Sequence, residues 1–569
     1  MTRPCSTRLL RGAILRALLL FCLLSAAPAL ADPASGGRPP DELVLGVLGT
    51  TGSLHPNSTD TGYAFIRALG HRHISAPDES WHVVCYLCET LPTLKDGDAK
   101  LVALPEGGKG IDVTFTLMPG LSWADGRKVT SDDVIFSWQL GRTPGIGYAN
   151  TQIFDDIADI TRLDDHRFTL HMKRASYQYN TPYFFEILPQ HIEAPIVQGL
   201  ADKGRYLAQT AYETDPTNPG LWLGPYRLAR FERNSIAVFE RNPFWPGRTP
   251  YFRQVTVLAY PDTASLGKAL RSGEIDGFTG LYLPAEQLHV LGAELGNAFD
   301  VTSQPSTRFV HVALNLDRPV FQDQRVRQAL LLALDREQIT HTVLDDPRPV
   351  ANSFLNPRDP GYDPRLRLYS YRPDKARQLL GEAGYAPSAD GVWTRADGTR
   401  LSFKLLYNTA TPVMTVFAQE IAAQWRVFGI DATETLDPAM LQNAVKHRSF
   451  EAELSSFNSV PEFPPEMMLA SHSIPSAANG FAGYNYPGYA NPQMDTLIAR
   501  LIGELDETRR TGIWSEIQAT YLDDLPTLPI FHLPTMSALP HWLTGFVPTG
   551  QYTPASAAAE NWARRDGAG

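Results

Sequence analysis

Two cysteines three positions apart, two histidines two apart and several pairs of adjacent aspartates are where this chain has the residue types for chemistry. Cys85 and Cys88 form a C-x-x-C unit, the spacing of a redox pair or of half a metal site. No second such unit accompanies it, and its surroundings are not thioredoxin-like. In an oxidising compartment the pair suits a local disulfide if the segment turns. It does not if the segment is extended, because side chains three apart then face opposite sides. His71 and His73 offer two imidazoles, expected to point apart from a surface or loop position rather than to share a metal. Asp132/Asp133, Asp155/Asp156, Asp164/Asp165 and Asp523/Asp524 invite an acid–base reading, yet each falls at an expected cap, turn or helix end, where solvated acids are common. The chain carries no P-loop or dinucleotide-type glycine loop, no G-x-S-x-G and no H-E-x-x-H. Neither catalysis nor a cofactor is expected of it.

The elements that must position these residues alternate between helix and strand. Val113 to Leu117 alternates apolar and polar residues at period two, a half-buried strand. Thr130-Ser131-Asp132-Asp133 supplies an N-cap and an acidic first turn for a helix ending near Leu140. From Pro373, Ala376, Leu379, Leu380 and Ala383 form one helical stripe, and Gly384 stops it. Helix at Val413 to Phe428, strand at Ile430 to Thr435, helix at Met440 to Lys446 and strand at Phe450 to Phe457 continue the pattern of an α/β protein.

Arg3, Arg8, Arg11 and Arg16 surround an apolar run from Ala17 to Leu24, and Ala29-Leu30-Ala31 follows. That is the pattern of a secretory signal peptide with a small-x-small cleavage site. Cleavage after Ala31 leaves 538 of the 569 residues, and losing four arginines takes the formal charge from −11 to −15. The bulky Phe21 before Cys22 argues against a lipoprotein box. An acidic surface repels phosphates and anionic headgroups, so no nucleic acid partner is expected. The mature length exceeds one ordinary core and implies two or three domains.

Four separated segments carry a family likeness: Leu121 to Trp138, Gly224 to Trp245, Asn315 to Arg336 and Asp374 to Tyr385. In this order the chain resembles the family 5 extracytoplasmic solute-binding proteins, the dipeptide- and oligopeptide-binding receptors of ABC importers. The resemblance implies a two-lobed, hinge-closing periplasmic binding protein of α/β class with a third small domain. It would place a discontinuous first lobe at 32–82, 214–304 and 528–569, a small accessory domain at 83–213 and the second lobe at 305–527. It also implies a monomer that captures a peptide or related small solute in the periplasm and delivers it to permease subunits. The same class takes non-peptide solutes (an opine, an oligosaccharide, a metal chelate or haem), and a secreted hydrolase is the alternative from another class.

The four segments themselves read as scaffold. Asp125-Gly126 is a turn former, and Arg325 and Arg327 lie early on a helix, placed to pair with acids or tether a loop. By resemblance the solute is met instead by Tyr407, Asn408, Phe457, Asn458 and Glu462. In peptide-binding members an aspartate neutralises the peptide's terminal ammonium, and counting from Ser456-Phe457 puts Val460 at that position. Leu454 likewise stands where an arginine is found in an oligopeptide binder. Either Glu462 or Glu453 supplies the missing charge, or the solute has no free α-ammonium, since a buried ammonium without a counter-charge costs several kcal/mol.

Overall fold

The computed structural model describes residues 38–565 apart from 50–51, 59–62, 106, 149–150, 282–284, 345–349, 408–411, 437–444, 480 and 482. The expected signal peptide and most of the expected helix at Met440 to Lys446 lie outside the described residues.

Three larger sheets organise the chain. The first has seven strands in the order Phe299–Gln304, Thr535–Pro540, Gly277–Leu281, Glu42–Leu48, Gln254–Tyr260, Ile236–Arg241 and Tyr226–Glu232. Glu42–Leu48 runs parallel to both of its neighbours, and the flanking pairs are antiparallel. A four-stranded antiparallel sheet follows the order Ala99–Ala103, Lys109–Thr116, Arg167–Met172 and Ile157–Arg162. These two sheets share one continuous apolar core, in which Leu43 and Val255 join Ile111, Phe115 and Phe168. The third sheet has five strands, Asp431–Leu436, Ser402–Tyr407, Ala452–Asn458, Arg308–Leu314 and Thr527–His532, and a core of its own. The two largest cores mark two lobes, the accessory sheet belonging to the first.

Local rules account for the elements. Lys109–Thr116 alternates buried and half-buried residues through the predicted Val113 strand. Thr130 and Asp133 close a capping box on the helix Ser131–Gly141. Pro373–Glu382 buries Ala376, Leu379 and Leu380. The helix Pro412–Phe428 ends at Gly429, whose φ of +93° and 2.5 Å approach of a notional Cβ to Gly391 O admit only glycine.

The chain crosses between lobes at Gln304–Arg308 and returns near Leu533–Pro534. The return falls a few residues later than the boundary expected at 528, because Thr527–His532 still pairs with Arg308–Leu314 in the second-lobe sheet. The two crossings are bonded to each other, Ser306 Oγ to Leu533 O at 2.5 Å and Leu533 N to Arg308 O at 2.9 Å. A narrow paired ribbon of this kind is the natural place for a hinge.

The four family-like segments spend their polar groups locally. Arg327 is buried and donates to the carbonyls of Asp524 (2.7 Å), Phe321 (2.8 Å) and Gln322 (3.0 Å). Arg325 pairs with Asp323 at 2.7 Å. Asn242 holds Gly224 O, and Asn315 holds Phe450 O, each at 2.8 Å.

Candidate functional site

Strand Ala452–Asn458 is antiparallel to Arg308–Leu314, so its last residues emerge beside the crossing ribbon and the loop after it meets the first lobe. There each lobe inserts a side chain into the other. Val460, 5 % exposed, leaves the second lobe to pack with Ala76 and Tyr183, ringed by Tyr86, Phe184, Phe463 and Tyr552. Phe184 makes edge contacts with Tyr183, Tyr552 and Phe463 at centroid distances of 4.8, 5.6 and 6.3 Å. In return Tyr177, from the first lobe, packs against the second-lobe core. Its N–H donates to Ile502 O at 3.0 Å, and the Arg510 guanidinium lies 4.7 Å from its ring centre. Arg358 adds another crossing contact, 4.7 Å over the Trp81 ring.

Glu462 stands between these two insertions. It adopts φ +55°, a costly conformation for a non-glycine residue. Two groups hold its backbone there. Its N–H donates to Asp359 Oδ2 at 3.0 Å, and its carbonyl accepts a short bond from the Tyr177 hydroxyl. Asp359 also accepts from Gly361 N at 2.8 Å, and burial pushes its carboxyl up to about 7 against the pull of these two N–H donors. The Glu462 carboxylate reaches toward Arg510 at 3.9 Å, and burial raises it despite that charge.

Two cavities flank the aromatic cluster, and Phe184 lines both. The larger, about 330 Å³, lies between the accessory sheet and the second lobe. Tyr183, Phe184 and Phe463 form its apolar side, and Asp156, Arg174, Glu466 and His472 its charged side. Arg174 lies 3.2 Å from Asp156 in its own lobe and 3.5 Å from Glu466 across the gap, and His472 is 3.4 Å from Glu466. The contacts to Glu466 are longer than a normal charge-assisted hydrogen bond, which leaves its oxygens able to accept from a solute.

The smaller cavity, about 60 Å³, is lined by Arg67, His71, His73, Glu186, Phe184 and Tyr552 among others. Here the expectation for the histidines is corrected. His71 is buried, and both rings turn to Glu186, His73 Nδ1 at 2.5 Å from Oε1 and His71 Nδ1 at 3.5 Å from Oε2. Side chains two apart on extended backbone share a face, while Arg72 between them turns to Glu560 at 2.8 Å. Burial alone would raise Glu186, but His73 and His71 outweigh it and hold the carboxyl below its usual range. Among the described residues no group of three or more His, Cys, Asp or Glu is placed to hold a metal ion.

Of the residues expected from the sequence, Tyr407 packs in the second-lobe core opposite Leu454 and Leu436. Asn408 lies outside the described residues. Phe457 is half-buried with its ring 5.9 Å from that of Tyr484, and Asn458 accepts from Thr307 Oγ1 at 2.9 Å. None of Tyr407, Phe457, Asn458 and Glu462 lines either cavity. Leu454 is buried in the core, and Glu453, 6 % exposed, is raised to about 7 by burial. Cys85 and Cys88 are joined as a disulfide with Cα atoms 5.2 Å apart, where strand Val83–Cys85 ends and the chain turns. Each of the four aspartate pairs named above has partners of its own, Asp133 in its capping box, Asp156 at Arg174, Asp164 at Arg167 and Asp524 at Tyr489.

The first-lobe contributors Tyr177, Tyr183 and Phe184 are not among the residues expected from the sequence. Their signal was present: five aromatics fall between Tyr177 and Phe185, in a stretch with no regular period. A segment of that kind has no reason to be aromatic unless something packs on it.

Comparison with known proteins agrees with the architecture. The model of the bacterial extracellular solute-binding proteins, family 5 (middle region) matches residues 108–477. The oligopeptide-binding protein AppA of Bacillus subtilis is 25% identical over 534 residues, covering 92% of this chain and 91% of that protein. Among solved structures, the Thermus thermophilus oligopeptide binding protein complexed with pentapeptide superposes with a TM-score of 0.76 at 22% identity, over 92% of this chain and 96% of that one. NikZ from Campylobacter jejuni in complex with Ni(L-His) gives 0.75 at 19% identity, over 93% and 100%.

Proposed function

We propose that this chain, which belongs to the bacterial extracellular solute-binding proteins of family 5, is a periplasmic receptor that captures a small peptide or a related solute between its lobes and passes it to the permease of an ABC importer. The observation that carries this reading is the 330 Å³ cavity with walls from both lobes beside a two-strand hinge. A solute there touches both lobes only when they are together, so it favours the closed form by its differential contacts. The aromatic side suits apolar side chains, and Asp156 and Glu466 offer negative charge to an ammonium group, which Val460 cannot. Export through the N-terminal signal segment and action as a monomer complete the proposal.

Native mass spectrometry of protein purified without refolding tests it. A retained species of peptide mass, released by unfolding, is the expected result. A retained metal chelate would move the solute class toward that of the NikZ complex, and turnover of added peptides would replace the receptor by a hydrolase.

A further inference from the structure

The turn at 356–361 in the second lobe reaches three parts of the molecule at once. Asn356 Nδ2 donates to Ser306 O at 2.9 Å, on the crossing ribbon. Arg358 stretches over the Trp81 ring of the first lobe and donates to Glu79 O at 3.3 Å. Asp359, 4 % exposed, accepts from Glu462 N and so fixes the backbone whose carbonyl takes the Tyr177 hydroxyl of the first lobe. The turn is itself held firmly. A Cβ added to Gly361 would come within 2.9 Å of the Trp514 ring, and Gln518 Nε2 donates to Gly361 O at 2.9 Å.

Resting on the lobe closure proposed above, we propose that Asp359 is a positioning residue for solute capture, whose protonated carboxyl keeps the Glu462 turn against the first lobe and whose ionisation loosens it, so that closure is coupled to pH. The surrounding groups set the sign. Burial and the Glu462 carboxylate disfavour the Asp359 anion, and its two N–H donors pull the other way without prevailing. Tyr177 faces both carboxyls, while Arg510 and Glu507 on the helix Glu507–Asp524, and His82 beside Trp81, act on Glu462. Ionised, Asp359 sets a second negative charge beside Glu462, and Arg510 is already turned to Glu462 and the Tyr177 ring. Opening withdraws Tyr177 and Trp81 and lets water reach the carboxyl, which eases its ionisation. The closed form thus keeps, up to about pH 7, a proton that the open form releases at lower pH. Closure is favoured at low pH and weakens as the pH rises through about 7.

The experiment is pulsed electron resonance on the full-length mature protein, spin-labelled at Lys268→Cys on the first lobe and Val427→Cys on the second, both exposed, from about pH 5 to about pH 8. Without solute, the population at the shorter distance should fall by roughly threefold or more across this range. In Asp359→Asn, which cannot ionise, it should stay level. Glu462→Gln removes the neighbouring charge and should move the midpoint to lower pH, which supplies the test where Asp359→Asn fails to fold. A distance that shortens with added trialanine but ignores pH in the wild type would overturn the role of Asp359 and leave closure standing. So would an Asp359→Asn profile as steep as that of the wild type, or a Glu462→Gln midpoint that has not moved. One unchanging distance at every pH, with or without trialanine, would instead remove the closure on which the proposal rests.

Discussion

The family-like segments and the inter-lobe junction use polar groups in opposite ways. In the segments Arg327 donates three times to carbonyls of its own lobe, and Asn315 and Asn242 do the same in theirs. At the junction the pairs cross between lobes: Tyr177 to Glu462, Arg174 to Glu466, Arg510 over Tyr177 and Arg358 over Trp81. Local bonding makes a scaffold that is stable with the lobes in any relation. Crossing contacts exist only when the lobes are together, so they govern closure and whatever closure encloses. The residues that carry the family likeness are therefore a different set from those that join the lobes.

Substitutions should separate the two regions. The largest effect is expected in the scaffold, where Arg327→Ala takes the donor from three carbonyls, that of Phe321 buried and those of Asp524 and Gln322 partly so. At about 1–3 kcal/mol for each unsatisfied group, partly relieved by water, stability in urea should drop by about 3 kcal/mol. Peptide affinity of the folded fraction should stay unchanged, and a parallel loss of affinity would blur the distinction.

Asp359→Asn keeps one acceptor but turns an amide toward the second backbone N–H, at a cost of about 2 kcal/mol at pH 5. Its sign with pH is defined. Burial lifts Asp359 from 3.8 to about 7, so the native state keeps a proton that the unfolded chain has released, and stability falls as the pH rises from about 4 to about 7. Glu453, also raised to about 7, adds to the same slope. Thermal unfolding across pH 5 to 8 should give the Asp359→Asn variant the flatter profile; an equal slope would mean that Asp359 ionises freely in the native state.

Breaking the Cys85–Cys88 disulfide with a reductant releases a loop of only a few residues. The chain-entropy estimate for so short a loop is about 2 kcal/mol of stability, which urea unfolding measures. Solute affinity should not follow, because neither cysteine lines either of the two cavities described above. The smallest change expected is Tyr177→Phe, which deletes one hydroxyl bond across the gap. Affinity should weaken by about 1 kcal/mol, roughly fivefold, with little loss of thermal stability. A large stability loss without an affinity change would make Tyr177 a scaffold residue instead.

Most of the fold was legible because its signals are local. Thr130 with Asp133, Pro373 with Gly384, and the alternation through Val113 each declare an element from a few neighbours. The place where Val460 emerges was legible through the family likeness. What was not legible is what Val460 meets. Tyr183, Phe184 and Tyr552 lie far from it along the chain and come together with it only through the lobe crossings. The pairing of His71 and His73 on Glu186 was missed for a related reason, since the acid comes from a distant segment of the chain. Tyr407 shows the converse: the family likeness offered it as a solute contact, but a likeness of sequence alone did not tell a core-facing ring from a cleft-facing one.

The receptor reading stands or falls on solute being held between the lobes. Spin labels at Lys268→Cys, exposed on the first lobe, and Thr508→Cys, exposed on the second, would report the distance between them by pulsed electron resonance. Adding the solute recovered from the purified protein should narrow the distance distribution and shift it toward the shorter, closed-form distance. An unchanged distribution, with binding verified by calorimetry on the same sample, would contradict capture by lobe closure.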